Sequence, residues 1–229
     1  MLIKLANKLS YKIITIIRQF FYYFRFFKHK KKNYWSVKNF ENYQNYINFQ
    51  KEKTLDNNRR QKWLNDEWDS KVNFFSKIFK NIFKDINLKH DALCLCIGAR
   101  TGQEVYALQN LGFSAVGIDI VECKPLVEVG DMHNLNYPDN SFDFIFCNIL
   151  DHSLYPEKSI SEMERVLKKK GFSFLQITVG EATDKYGVTE IQSDKAIIKL
   201  LKKSEVIFSR SIKHYSIAQN WEIIFKKRN

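Results

Sequence analysis

Six consecutive apolar residues, Ala92 to Ile97 (ALCLCI), run directly into the turn Gly98 to Gly102 (GARTG). A short uninterrupted apolar run is the pattern of a parallel strand buried on both faces. Parallel strands need crossover connections, usually helices, so this one run already commits the chain to a sheet covered on two sides. Gln103 to Leu111 supplies the first crossover as a helix ending at Gly112. A second apolar run, Ser114 to Ile120 (SAVGIDI), then carries Asp119 near its end, 21 residues after Gly98. In such a strand–turn–helix unit the turn's N–H groups and the helix N-terminus face a bound nucleoside. An acid ending the next strand can accept hydrogen bonds from both ribose hydroxyls. The expected fold class is α/β, with a doubly wound, mostly parallel sheet.

Two cofactor classes use this unit, dinucleotides and S-adenosylmethionine. A dinucleotide fingerprint asks for glycine at three places, which here hold Gly98, Arg100 and Gln103. Only the first is met. Arg100 fills space where a pyrophosphate needs bare backbone, so the dinucleotide reading loses ground.

The motifs that follow carry a resemblance. In order, CIGARTGQ, VGIDI, EVGDMHNLNYPDNSFDFIFCN, the helical SEMERVLKKKG and the run FSFLQIT resemble a class I S-adenosylmethionine-dependent methyltransferase of the type 11 group, over roughly residues 90 to 180. The resemblance implies a Rossmann-like, seven-stranded, mostly parallel sheet, its final antiparallel pair drawn from strands near Val206 to Lys213 and Trp221 to Lys227. It implies S-adenosylmethionine as cofactor, with Gly98, Ala99 and Gly102 under the amino-acid moiety. Asp119, with Ile120 after it, would hold the ribose, Asp131 and Met132 would border the adenine, and Asn148 would lie beside the methyl group. Two departures stand out. Arg100 occupies the middle of the glycine turn, where it either reaches the cofactor carboxylate or points to solvent. Lys169, Lys170 and Gly171 replace the family's Pro-Gly-Gly stretch.

Methyl transfer from a sulfonium depends mainly on positioning, and well-oriented pairs reach effective molarities of ~10⁵ to 10⁸ M. A hydroxyl or protonated amine acceptor must still lose a proton. Asp151 and His152, just past the fourth expected strand, are the catalytic candidates, with His152 as the base; a rim histidine without chemistry is the competing reading. His133 near the adenine edge and Asp143 as a strand-start acid have weaker cases. No metal site is expected. The spacings of Cys94, Cys96, Cys123 and Cys147 match neither zinc knuckles nor a CxxC pair, and these residues read as reduced, buried thiols.

The chain divides into a basic amphipathic helix (1–32), a helical connector or lid (33–89) and the methyltransferase domain (90–229). Residues 1 to 32 hold nine Lys or Arg and no acid, whereas the remainder holds 28 basic and 25 acidic residues. The excess behind the net charge of +12 is therefore a terminal feature. On a helical wheel Lys4, Lys8, Lys12, Arg18 and Arg25 share one arc opposite Leu9, Ile13, Ile16, Phe20 and Phe24. That is the pattern of a helix lying in a lipid interface, and it names an anionic membrane surface as partner, at the cytoplasmic face. Packing on protein is the competing expectation. Arg18 and Arg25 break the apolar run, which disfavours a secretory signal or a spanning helix. From Asn65 to about Asn87, Val72, Phe75, Ile78, Phe79, Ile82, Phe83 and Ile86 recur at helical spacing and read as core. The leading function is methyl transfer to a small molecule, glycan or lipid acceptor. A non-catalytic binding protein on the same fold and an RNA methyltransferase are the alternatives; nucleic acid is the weaker partner because the body lacks a basic surplus.

Overall fold

The computed structural model describes residues 35–180, 185–212 and 219–229. The expected basic helix over residues 1–32 lies outside them. Along the chain come strand β1 (Trp35–Val37) and helices α1 (Tyr43–Leu55), α2 (Asn57–Leu64) and α3 (Trp68–Asp85). The alternating body follows: β2 (Leu93–Ile97), α4 (Gln103–Asn110), β3 (Ser114–Asp119), β4 (Val127–Val129) and β5 (Phe142–Cys147). After a single 3-10 turn at Leu150–His152 come α5 (Pro156–Val166), β6 (Leu167–Ile177), β7 (Thr189–Ile191), α6 (Asp194–Ile198), β8 (Ser204–Ser211) and β9 (Trp221–Lys227).

Seven strands form the main sheet in the order β4-β3-β2-β5-β6-β9-β8. Pairings from β4 through β6 are parallel, while β9 runs antiparallel to both β6 and β8. This is the Rossmann-like doubly wound sheet that the ALCLCI run and its successors require. Side chains alternate across it. Cys94 and Cys96 join Phe144, Phe146 and Phe174 on one face, under α3 and α4. Leu95 and Ile97 join Ile145, Leu175 and Phe225 on the other, under α5 and α6. Cys94, Cys96 and Cys147 are buried and Cys123 is half-buried. Burial pushes the Cys94 and Cys147 thiols up to about 12, which leaves them inert side chains of the core.

The helix expected from Asn65 begins at Trp68 and places Val72, Phe75, Ile78, Phe79 and Ile82 inside. Phe79 meets Phe146 edge-on with ring centroids 5.1 Å apart. The described part of the expected helical connector is regularly built. The Asn42 side chain accepts from Asn45 N–H and starts α1, and Asp56 accepts from Arg59 N–H and starts α2. The segment also interlocks with the far end of the chain, since β1 pairs antiparallel with β7, Trp35 opposite Ile191. Where the Pro-Gly-Gly stretch is missing, α5 passes straight into β6. Lys170 takes a positive φ of 64°, and the β5–β6 register breaks between Phe142 and Phe144. Among the described residues no helix is long and apolar enough to cross a membrane.

Candidate active site

The glycine turn at the end of β2 is held by its neighbour strand. The N–H groups of Gly98 and Ala99 both donate to the Ile118 carbonyl, at 2.8 and 3.0 Å. Gly98 and Gly102 adopt φ of +77° and +95°, and a Cβ on Gly98 would sit 2.3 Å from Ile149 Cγ1. Asp119 closes the unit. Its Oδ2 accepts from Arg100 N–H at 3.0 Å and its Oδ1 from Val121 N–H at 3.2 Å. Burial raises the Asp119 pKa, and these backbone donors work against that rise. A carboxylate has about four acceptor sites, so each oxygen keeps capacity for a ribose hydroxyl.

Arg100 lines the cleft and is steered by a neighbouring helix. With φ of 50° it turns its guanidinium onto the Trp63 ring, 4.5 Å from the centroid. Gln103 Nε2 donates to the Trp63 carbonyl at 2.7 Å, so α2 is fastened to the glycine turn by both contacts. Behind the turn, in the first turn of α4, Glu104 is buried, and desolvation pushes its pKa up to about 7.

At the other end of the site, Asp131 joins a network with the buried His133. Tyr155 N–H donates to His133 Nε2 at 3.2 Å, so the ring's proton sits on Nδ1 and is donated to Asp131 Oδ1 at 2.9 Å. Asp131 Oδ1 also accepts from His133 N–H, and Oδ2 accepts from the Tyr43 hydroxyl. Burial opposes the charge on Asp131, but the hydrogen bonds from His133 and Tyr43 outweigh it and lower the pKa. Tyr43 comes from α1 and stacks on Tyr155; burial and its bond to Asp131 raise its own pKa.

An open cleft joins these parts, with about 590 Å³ of space when the solvent at its mouth is counted. Of the residues singled out by sequence, its wall contains Gly98, Arg100, Asp119, Ile120, Asp131, Met132 and His152. Ala99, Gly102, Asn148 and Asp151 stand outside the wall. Ala99 and Asp151 are buried, and the Asp151 carbonyl accepts from Val188 N–H, tying the 3-10 turn to the body. Asn148 follows β5, its carbonyl accepting from Gln219 Nε2 and its buried Oδ1 without a hydrogen-bond partner among the described residues. His133 is buried beneath Asp131. Asp143 accepts from Leu93 N–H and Lys168 Nζ, clamping three strands.

Sequence reasoning missed the opposite wall. Tyr46, Gln50, Lys53 and Thr54 of α1 all line the cleft. The 46/50/54 spacing is one helical face, and the Asn42 cap before it was the available signal. The residues present fit an adenosyl sulfonium: glycines at the turn, an acid with spare acceptor capacity, apolar Ile120 and Met132 beside Asp131, and room beyond.

The fold is the one shared by class I S-adenosylmethionine-dependent methyltransferases. Residues 95–175 match the family described as a methyltransferase domain, and this segment is a methyltransferase domain of the type 11 group. A SAM-dependent methyltransferase from Methanosarcina mazei superposes with a TM-score of 0.53 at 21% identity, covering 66% of this chain and 97% of its own. The 1,6-didemethyltoxoflavin-N1-methyltransferase of Burkholderia thailandensis, solved with 1,6-didemethyltoxoflavin and S-adenosylhomocysteine bound, superposes with a TM-score of 0.64 at 12% identity, covering 85% and 94%. The cyclase SpnF shares the fold as well, with a TM-score of 0.55 at 16% identity, covering 67% and 80%. No curated protein matches this chain.

Proposed function

We propose that the cleft binds S-adenosylmethionine between the glycine turn and Asp131, and that a small acceptor docks against α1 and His152 to receive the methyl group. Bound there, the cofactor supplies a methyl carbon made electrophilic by the sulfonium. The chain's own groups do the rest: Asp119 holds the ribose, α1 walls off the reacting end, and His152 takes the acceptor's proton. The observation that carries this reading is one continuous cleft bounded by Gly98, Asp119 and Asp131 on one side and by Gln50, Lys53 and His152 on the other. The 1,6-didemethyltoxoflavin bound to the Burkholderia methyltransferase supports a small-molecule acceptor. We further propose that residues 1–32 hold the protein at an anionic membrane surface, on the strength of their nine basic residues and apolar arc.

Calorimetry tests the cofactor reading. The protein should bind S-adenosylmethionine. Asp119→Ala removes charge-assisted hydrogen bonds worth ~1.5–3 kcal/mol each, so it should weaken binding by about 10- to 150-fold or more. Tight binding of a nicotinamide dinucleotide with none of S-adenosylmethionine would overturn it.

A further inference from the structure

The geometry points to Gln50 as the positioning residue that fixes the tautomer of His152, and to Lys53 as the charge beside it, so that this pair suits an acceptor that loses a proton to react, a hydroxyl or an acidic N–H. The inference rests on the methyl-transfer reading above and names the acceptor class for the same cleft.

Gln50 is buried in the face of α1 that lines the cleft. Its Nε2 donates to the Tyr186 carbonyl at 2.9 Å. A carbonyl can only accept, so the amide cannot be turned around, and Oε1 must face His152 Nδ1, 3.0 Å away. Oε1 in turn can only accept, so the proton of the neutral imidazole is on Nδ1 and the lone pair is on Nε2. The backbone that carries the ring is held by the Tyr46 hydroxyl donating to the His152 carbonyl at 3.0 Å. Gln50 therefore does for His152 what an orienting group does for a catalytic histidine: it selects the tautomer with a basic nitrogen on the far side of the ring.

That nitrogen meets Lys53. Its Nζ lies 3.4 Å from Nε2 and stands over the Tyr186 ring at 5.8 Å. Gln50 and Lys53 are three residues apart on one helix, neighbours on its surface, so a single turn of α1 presents both. An acceptor oxygen entering here gives its proton to Nε2. The oxygen's electron pair forms the new bond to the methyl carbon, and the electrons of the broken carbon–sulfur bond stay on sulfur, leaving a methyl ether, S-adenosylhomocysteine and a protonated His152. As the acceptor oxygen enters, the Lys53 ammonium turns from Nε2 to that oxygen, which frees the lone pair for the proton and offsets the acceptor's developing negative charge. A neutral amine instead gains positive charge as its bond forms, and the same ammonium opposes it.

The test uses the full chain. In protein with ¹⁵N-labelled histidine, the His152 ring, identified by its loss in His152→Asn, should show a protonated Nδ1 and an unprotonated Nε2. Gln50→Leu should collapse that signature toward a mixture of tautomers, while Gln50→Glu, which still offers an acceptor, should keep it. A protonated Nε2 in the wild-type protein, or a signature unmoved in a folded Gln50→Leu, overturns the assignment. For the acceptor class, 4-nitrophenol titrated into protein saturated with S-adenosylhomocysteine should bind with the phenolate spectrum, and Lys53→Met should weaken it by about tenfold, equivalent to ~1.4 kcal/mol. No phenolate binding by the wild type, or equal binding by Lys53→Met, overturns the acceptor class. Failure to bind S-adenosylmethionine in calorimetry would sink the methyl-transfer reading instead, while leaving the histidine signature as stated.

Discussion

Replacing Glu104 with Gln should make the protein more stable at pH 8 and leave it nearly unchanged at pH 4. Glu104 is buried in the first turn of α4, directly behind the glycine turn, and desolvation raises its carboxyl from 4.5 to about 7, with Arg100 and Lys71 working weakly the other way. A raised carboxyl pKa means that the folded state holds a proton the unfolded chain has released, so stability falls as pH rises between the two values. The window is therefore about pH 4.5 to 7, and the loss is complete above it. The shift of about 2.5 units at ~1.4 kcal/mol per unit gives an upper value of about 3 kcal/mol. Gln removes the titration while keeping the shape. Urea unfolding of both proteins at pH 4, 5, 6, 7 and 8 is the assay. The midpoints should separate progressively up to about pH 7 and then run parallel, with the wild type the less stable. Parallel profiles across the whole range would show that Glu104 is not desolvated in the folded protein.

Other perturbations probe different parts of the structure. Phe79→Ala empties a fully buried site between α3 and Phe146 and should cost about 3–5 kcal/mol in urea unfolding; a cost under 1 kcal/mol would mean that α3 is not seated on the sheet. Asp56→Ala removes the α2 cap and should cost about 1 kcal/mol, with a weaker affinity for the cofactor because Trp63 supports Arg100; unchanged affinity would separate α2 from the site. Gly98→Ala forces a Cβ to 2.3 Å from Ile149 in a positive-φ turn and should abolish cofactor binding in calorimetry. Deleting residues 1–32 should remove co-sedimentation with anionic vesicles, and unchanged sedimentation would end the membrane reading.

What could be read in advance was local. ALCLCI, GARTG and SAVGIDI each carry their structure within a few residues, so β2, the turn and β3 fall where their patterns put them, with Asp119 ending its strand. The contacts that complete the site are long-range and leave no periodic trace. Tyr43 reaches Asp131 across 88 residues, Gln50 reaches His152 across 102, and β1 finds β7 across some 154. Arg100 was legible as an oddity in a glycine turn, but its stacking on Trp63 depends on where α2 lies, which charge and spacing do not specify. The α1 wall was hidden for another reason. Its cleft face is built from Tyr46, Gln50 and Thr54, largely polar residues, so no apolar stripe marks it as buried.

The most direct trial of the whole account is a crystal structure with S-adenosylhomocysteine soaked into the cleft. The nucleoside should lie on the Gly98 turn, its ribose hydroxyls on Asp119 and its base beside Ile120 and Met132, with the sulfur turned toward α1 and His152. A ligand found elsewhere, or a cleft that stays closed to it while the protein remains folded, would contradict the assignment.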